Sequence, residues 1–377
     1  MEKLTVPQGA FQLARYPQRK NDPLRAWDAA DEYLLHHLYE ENLLDARTSI
    51  LILNDLFGAL SIALTDYRPQ LISDSYLSHQ GTRANLIRND LSTGQVRLLN
   101  SLQDPDVTFD VVLIKIPRSL AFLEDQLHRL RACLHPATRI IGASMVKGIH
   151  TSTLNLFERI FGSTHTSLAR KKARLIFCQP TMETEPGTNP YPSRYTLEDT
   201  GDQIINHANV FSREKLDIGT RLLLEHLPGT PASNTIIDLG CGNGVVGLIA
   251  AARNPTAELI FIDESFMAVA SAKANFQTVF EGHRKAQFHV TDNLNDLPTG
   301  SADLVLINPP FHQERGQGDQ VALHMFRESK TVLKQRGELW IVANRHLGYH
   351  IQIDRLFGNC RTITGNRKFV ILKAVKR

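Results

Sequence analysis

Four consecutive residues, Asn308, Pro309, Pro310 and Phe311, have the chemistry to hold a planar amine. The two prolines fix φ and remove two backbone donors, so the turn is stiff and its carbonyls lack local competitors. The Asn308 Oδ1 and the Pro309 carbonyl can then accept from the two hydrogens of one –NH2 group. Phe311 adds a flat face on which a base can stack. A second set of residues comes earlier in the chain. Gly240, Gly242 and Gly244 alternate with Cys241 and Asn243, directly after the apolar run that carries Asp238. Glycine there permits positive φ and close approach of the backbone to a ligand. Gly242, Gly244 and Gly247 also satisfy the GxGxxG dinucleotide pattern, which is weak on its own. Asp238 tips the balance. A carboxylate repels a pyrophosphate but neutralises a sulfonium or α-amino cation. The expected cofactor is therefore S-adenosylmethionine rather than NAD.

Acids further along keep that order. Asp263 ends the run Glu258–Asp263, about 20 residues past the glycines, where a ribose places two hydroxyls. Asp292 and Asn293 follow a third run, Ala286–Val290, and Asp292 is placed to accept from the adenine amine. Asn308 ends a fourth run, Ala302–Ile307. Open α/β sheets bind ligands at such successive carboxyl ends of parallel strands. Taken singly, each acid also suits a helix cap or a solvated turn. Phe211 precedes the glycine strand and has two readings. It is core, with Ser212 as an N-cap, or it folds over the cofactor. Arg345 follows the strand Glu338–Ala343 and faces the same cleft, in position to meet a phosphate.

The rest of the chain must position these residues. Its 377 residues suit two domains. A net charge of +3 permits a nucleic-acid partner without demanding one. The four cysteines, Cys133, Cys178, Cys241 and Cys360, show no C-x-x-C pair and no metal spacing. No metal is expected, and a reduced, cytoplasmic compartment is. The first twenty or so residues hold no apolar h-region, and no apolar run approaches the roughly 18 residues of a membrane helix, so neither a signal peptide nor a membrane partner is expected.

The chain also repeats itself. Ile50–Gly58 matches the strand and turn from Asp238 to Gly242, Leu71–Asp74 the strand ending at Asp263, and Phe109–Ile116 the strand ending at Asn308. Thr82–Asn85 echoes Ala272–Asn275, and Gly148–Cys178 parallels Gly348–Ala374. The predicted fold is α/β, with two tandem doubly wound Rossmann-like domains. Residues 1–180 form a degenerate copy, 181–195 a proline-rich linker and 196–377 the catalytic domain. In the first copy only Gly58 remains of the glycines, with Leu56 and Leu60 in the other two places, and Lys115 stands where Asn308 stands. Side chains there exclude a cofactor, and a lysine offers no acceptor to an amine. Arg170, Lys171, Lys172 and Arg174 form a basic run late in this copy. Such a run is either a solvated face or a phosphate-contacting surface for RNA.

The order Asp-x-Gly-x-Gly-x-Gly, strand-end acid, Asp-Asn and Asn-Pro-Pro-Phe-His resembles class I S-adenosylmethionine-dependent methyltransferases. The Phe-Ser-x-x-x-Leu-Asp-x-Gly segment from Phe211 and the duplicated first half narrow this to bacterial ribosomal RNA guanine-N2 methyltransferases. The likeness runs along both halves, including Ala26–Tyr33, and is closer to the large-subunit enzymes than to the small-subunit ones. The resemblance implies methylation of the exocyclic N2 of one guanine in 23S rRNA, the same reaction on 16S rRNA being the alternative. It also implies an N-terminal half used for RNA recognition. No oligomer is required.

The chemistry can be argued without the resemblance. Acceptors at Asn308 and Pro309 pyramidalise an amine and aim its lone pair, so positioning carries the reaction. His312 is available to take the departing proton or to touch RNA, although a hydrogen-bonded loop histidine is the plainer reading. Competing classes are a protein glutamine methyltransferase, an NAD-dependent oxidoreductase and a non-enzymatic RNA-binding protein. The basic degenerate half, Asp238 and the intact second set of motifs respectively argue against them.

Overall fold

The computed structural model describes residues 3–18, 23–181, 185–229, 234–309 and 317–377, without the side chains of 317–319. It divides into two compact units, Met1–Tyr191 and Pro192–Arg377. The first unit opens on a hairpin, β1 (Lys3–Val6) and β2 (Gly9–Gln12), and helix α1 (Ala29–Glu40). Then come β3 (Ile50–Leu53), α2 (Ala59–Ala63), β4 (Gln70–Ser73), α3 (Tyr76–Arg88), β5 (Arg97–Asn100) and β6 (Val111–Lys115). It ends with α4 (Leu120–Leu130), β7 (Arg139–Met145), α5 (Thr151–Phe161), β8 (Thr164–Thr166) and β9 (Ala173–Cys178).

The second unit repeats the series, from β10 (Ser193–Thr196), β11 (Gln203–Asn206) and α6 (Ile218–His226) to β12 (Thr235–Leu239) and α7 (Val245–Arg253). It continues through β13 (Glu258–Asp263), α8 (Phe266–Phe280), β14 (Ala286–Val290), β15 (Ala302–Ile307) and α9 (Gln317–Val332). It closes with β16 (Leu333–Asn344), α10 (Tyr349–Phe357), β17 (Arg361–Gly365) and β18 (Phe369–Val375). Each unit carries a seven-stranded sheet of the same order, β5-β4-β3-β6-β7-β9-β8 and β14-β13-β12-β15-β16-β18-β17. All the neighbours are parallel except β9 and β18, which are antiparallel to both of their partners.

Continuous apolar strands are what a sheet covered on both faces requires. In β12 and β15, Ile236, Leu304 and Leu306 pack on one side and Ile237, Leu239, Val305 and Ile307 on the other, so each unit has its own pair of cores. Capping side chains start the helices. Asp28 and Asp217 accept from amides of the first turn of α1 and α6, and Ser75 and Ser265 do so for α3 and α8.

Register fixes which residues correspond. Leu53 pairs with Ile114 as Leu239 pairs with Ile307. Lys115 therefore answers to Asn308, and Asn54, Asp55, Leu56 and Gly58 answer to Gly240, Cys241, Gly242 and Gly244. Leu60 answers to Val246 inside the helix and takes no glycine's place, a correction of one residue class in the expected match. The echo of Asn85 in Asn275 is exact in its bonding. Asn275 exchanges hydrogen bonds with the Ile205 backbone and donates to the Asn243 carbonyl. Asn85 does the same with Ala14 and Phe57. Each asparagine ties its unit's hairpin to the glycine-loop side of the sheet. The hairpins themselves, four residues per strand, were not anticipated.

The stretch expected as a linker is tied to the first unit at several points. Thr181 donates to the Phe161 carbonyl, Asn189 to Asp125 and the Tyr191 hydroxyl to Glu124, while Ser193 already begins β10. The boundary thus falls at Tyr191/Pro192. Ser212 is not an N-cap: it sits at φ 55° and donates to the Lys215 carbonyl, and Asp217 caps α6 instead.

Candidate active site

The site lies where the sheet reverses direction. Strand β12 has β13 on one side and β15 on the other, so the loop after Leu239 and the turn after Ile307 emerge side by side. This is the switch point at which such sheets take ligands. Gly240, Gly242 and Gly244 all adopt positive φ, at 73°, 54° and 79°. Two of them have separate reasons. A Cβ on Gly242 would meet nothing within 4 Å, so its backbone borders open space. A Cβ on Gly244 would lie 2.7 Å from the Ala272 Cβ, so helix packing forbids it.

Asp263 ends β13 half-buried. Its Oδ2 accepts from the Gly242 amide at 3.0 Å and its Oδ1 from Ser265 at 3.0 Å. It therefore braces the glycine loop at the end of its strand. Asp292 accepts from the Asn293 amide at 2.9 Å, and the Asn293 Oδ1 accepts from Asn295, which folds the loop after β14 back on itself. Asp238 has a different task from the one expected of it. It is 2% exposed, and its Oδ2 takes the Gly247 amide at 2.7 Å, inside the first turns of α7. Burial pushes its carboxyl up to about 8. It clasps the helix to the strand rather than facing the open loop.

Asn308 ends β15 half-buried, with its Nδ2 donating to the Thr220 Oγ1 at 2.9 Å. Thr220 is itself fixed by Asp217, which accepts from its backbone amide at 2.9 Å. With the –NH2 end committed, Oδ1 is left as the acceptor, and it has no partner among the described residues. Pro309 is buried, whereas Pro310, Phe311 and His312 lie outside the described residues. Phe211 is 53% exposed and so is not core. Its loop is anchored by His207, whose amide donates to Ser271 at 3.0 Å. Thr220 went unnoticed in the sequence. The Asp-x-x-Thr spacing signals a cap, and nothing local signals a partner 88 residues away.

The first unit builds the same corner from other chemistry. Asp28 and Asp31 occupy on α1 the places of Asp217 and Thr220 on α6, and Lys115 meets them at 2.9 and 2.6 Å. Burial opposes the Lys115 charge, but Asp31 and Asp28 overcome it and hold its pKa above the usual range. Burial pushes Asp31 up to about 6 despite Lys115. Asp55, in the place of Cys241, accepts from the amides of Gly58, Ala59, Leu60 and Ser61 and from the Ser61 hydroxyl. The N-terminus of α2 is thereby filled by the loop's own carboxylate. Leu56 projects outward, 60% exposed.

The basic run is partly spent. Arg170 pairs with Glu40 at 2.9 Å and lies 5.6 Å over the Tyr33 ring, and Lys171 pairs with Glu32 at 2.8 Å. Arg174 is half-buried, leaving Lys172 exposed. Arg345 is exposed, and its Nε donates to the Asn366 carbonyl at 3.1 Å.

Residues 1–182 match the RLMG N-terminal domain and residues 202–373 the methyltransferase small domain. Ribosomal RNA large subunit methyltransferase G of Streptomyces griseus is 51% identical over the whole of both chains. The proteins of that name from Aeromonas salmonicida and Stutzerimonas stutzeri are 50% identical over 97% of both chains and 46% identical over all of both. The chain belongs to the ribosomal RNA large subunit methyltransferase G family. It is thus an S-adenosylmethionine-dependent rRNA methyltransferase, as the motifs led us to expect. The solved 16S rRNA N2 methyltransferase of T. thermophilus, in complex with AdoMet and guanosine, covers 100% of this chain with 98% of its own, at TM-score 0.75 and 19% identity. That likeness confirms the tandem Rossmann-like architecture. Among the described residues no helix is long and apolar enough to cross a membrane, and no group of His, Cys, Asp or Glu is arranged to hold a metal.

Proposed function

We propose that this methyltransferase acts on the exocyclic N2 of a guanine in large-subunit (23S) rRNA. One observation carries the reading. The Asn308 amide is held through its nitrogen by Thr220, so its oxygen is the end offered to substrate at the mouth of the glycine loop. Guanine N2 is a poor nucleophile because its lone pair is delocalised into the ring. Acceptors at Asn308 Oδ1 and the Pro309 carbonyl take its two hydrogens, which pyramidalises the nitrogen and turns the lone pair out of conjugation. Bound S-adenosylmethionine supplies the electrophilic methyl group. The backbone at Gly242 lets it approach, Asp263 takes the ribose hydroxyls and Asp292 the adenine amine. Phe211 covers the cleft. The N2 proton, made acidic by methylation, leaves to solvent or to His312, and Phe311 stacks on the extruded base. Orientation and preorganised acceptors supply the rate, with no strong base needed beforehand. The first unit supports RNA binding, and the protein works as a cytoplasmic monomer.

The test uses deproteinised 23S and 16S rRNA with radiolabelled S-adenosylmethionine, followed by nucleoside analysis. Label in N2-methylguanosine from 23S rRNA alone is the expected result. Label in another nucleoside, or in 16S rRNA, would overturn the assignment. Asn308→Ala should lower kcat by about 10²–10³, the usual loss for one preorganised group, and leave the cofactor Kd unchanged.

A further inference from the structure

The duplication allows one turn to be compared with itself. The β8–β9 turn of the first unit carries Lys171 and Lys172, and register places Arg367 and Lys368, in the β17–β18 turn, at the same two positions. The surroundings differ in sign. In the first unit the turn docks on an acidic helix, where Glu32 takes Lys171 and Glu40 takes Arg170. In the second unit the residue on α6 that answers to Glu32 is Arg221, committed to Glu198 at 2.9 Å. Arg345, Arg367 and Lys368 are all exposed and have no carboxylate partner among the described residues.

The turn is also built and placed. Asn366 accepts through Oδ1 from the amides of Lys368 and Phe369, and Arg345 bonds the turn twice, through its amide to the Lys368 carbonyl at 2.9 Å and through Nε to Asn366. The Phe369 ring sits against Gly219, where an added Cβ would be 3.0 Å away. The next residue is Thr220, which holds Asn308. A short, rigid chain of contacts thus joins the cationic turn to the substrate acceptor. On the same rim Ile218 is 64% exposed. Lys368 lies 5.0 Å over the Phe369 ring. Cations that no carboxylate neutralises among the described residues, beside an exposed apolar side chain, suit a single RNA strand, with phosphates on the former and a base or ribose on the latter.

We infer that Arg367 and Lys368, with Arg345 bracing them, bind the phosphates flanking the target nucleotide. Arg170 and Lys171 are held by carboxylates of α1 and do not. This rests on the rRNA reading given above.

The experiment compares the full-length protein with Arg367→Ala/Lys368→Ala and with Arg170→Ala/Lys171→Ala. It measures methylation of deproteinised 23S rRNA and binding of a fluorescent single-stranded RNA oligonucleotide between 50 and 200 mM salt. The first variant should raise the RNA KM about tenfold or more, with kcat and the cofactor Kd unchanged. Its plot of log affinity against log salt should be shallower by about 1.4, at roughly 0.7 per lost contact to a single strand. Arg367→Lys/Lys368→Arg should restore both, and the second variant should behave as wild type. An unchanged KM and salt slope in Arg367→Ala/Lys368→Ala, with wild type active, would sink the inference and leave the function standing. A raised KM with an unchanged salt slope would sink it too, because the contact would not be to phosphate. Wild-type protein that methylates no rRNA would remove both readings.

Discussion

The orientation of one amide decides what the Asn308 side chain can do. Thr220 sets that orientation, so Thr220→Val, which keeps the shape and removes the acceptor, should free the amide to rotate. A hydrogen bond of about 1–1.5 kcal/mol predicts a fall in kcat of roughly tenfold, with the cofactor Kd unmoved and Thr220→Ser near wild type. Equal losses in Thr220→Ser and Thr220→Val would show that the methyl group, not the hydroxyl, matters. Asp238 makes a second prediction, this time in stability. Its folded pKa of about 8 lies above the ordinary value near 3.9. Its contribution is therefore intact below pH 4 and lost as pH rises through 8. Wild-type Tm should fall across that window relative to Asp238→Asn, which keeps an acceptor for Gly247. Parallel curves would mean that the carboxyl is ionised throughout. The placement of Asp263, Asp292, Asn308 and the glycines was legible because each lies at or just past the end of a recognisable strand. Thr220 and the inward turn of Asp238 were not, because they depend on which helix the strand meets.

Among the elements, the strands were the most readable part of the chain, and β13, β14 and β15 have the ends that their apolar runs predict. The hairpins escaped notice because four-residue alternating segments carry little periodicity, and what holds them is a distant Asn85 or Asn275. The pairing of the basic run was hidden for a related reason. Its charge is written in one segment and its neutralising carboxylates in another, on α1. The corner shared by α1 and β6 offers its own test. Lys115 and Asp31 are 15% and 6% exposed at the side chain, so Lys115→Met strands a buried carboxylate and should cost about 3–5 kcal/mol by chemical denaturation. The paired change Lys115→Asn/Asp31→Thr installs the second unit's neutral hydrogen bond and should recover most of that loss. If the double variant is no better than the single one, the two corners are not equivalent in packing.

At the scale of the whole molecule, each unit has its own sheet and its own pair of cores. The segment Pro192–Arg377 made alone should therefore melt cooperatively and bind S-adenosylmethionine with an affinity close to that of the full chain. Its KM for rRNA should rise if the first unit supports the substrate, and a full-chain KM would make that unit a scaffold only. The duplication itself was visible in the sequence, and the division at Tyr191/Pro192 falls within the stretch 181–195 read as the linker. What the prolines between 180 and 192 did not show is that Thr181, Asn189 and Tyr191 bond back onto the first unit.

The Asp55 carboxylate, bonded to four amides and a hydroxyl, has an evolutionary meaning. A copy that merely loses a ligand can regain it by a single reversal. This copy has rewired the vacated corner so that Asp55 satisfies a helix end and Lys115 neutralises Asp31, and each replacement now supports the fold. Removing Asp55 alone orphans several buried donors, and removing Lys115 alone strands a charge. Ancestral residues restored one at a time would each lower fitness before any of them brought back binding. The bonds of Asp55 and Lys115 thus act as a ratchet against a stepwise return of the first half to the loop of the second.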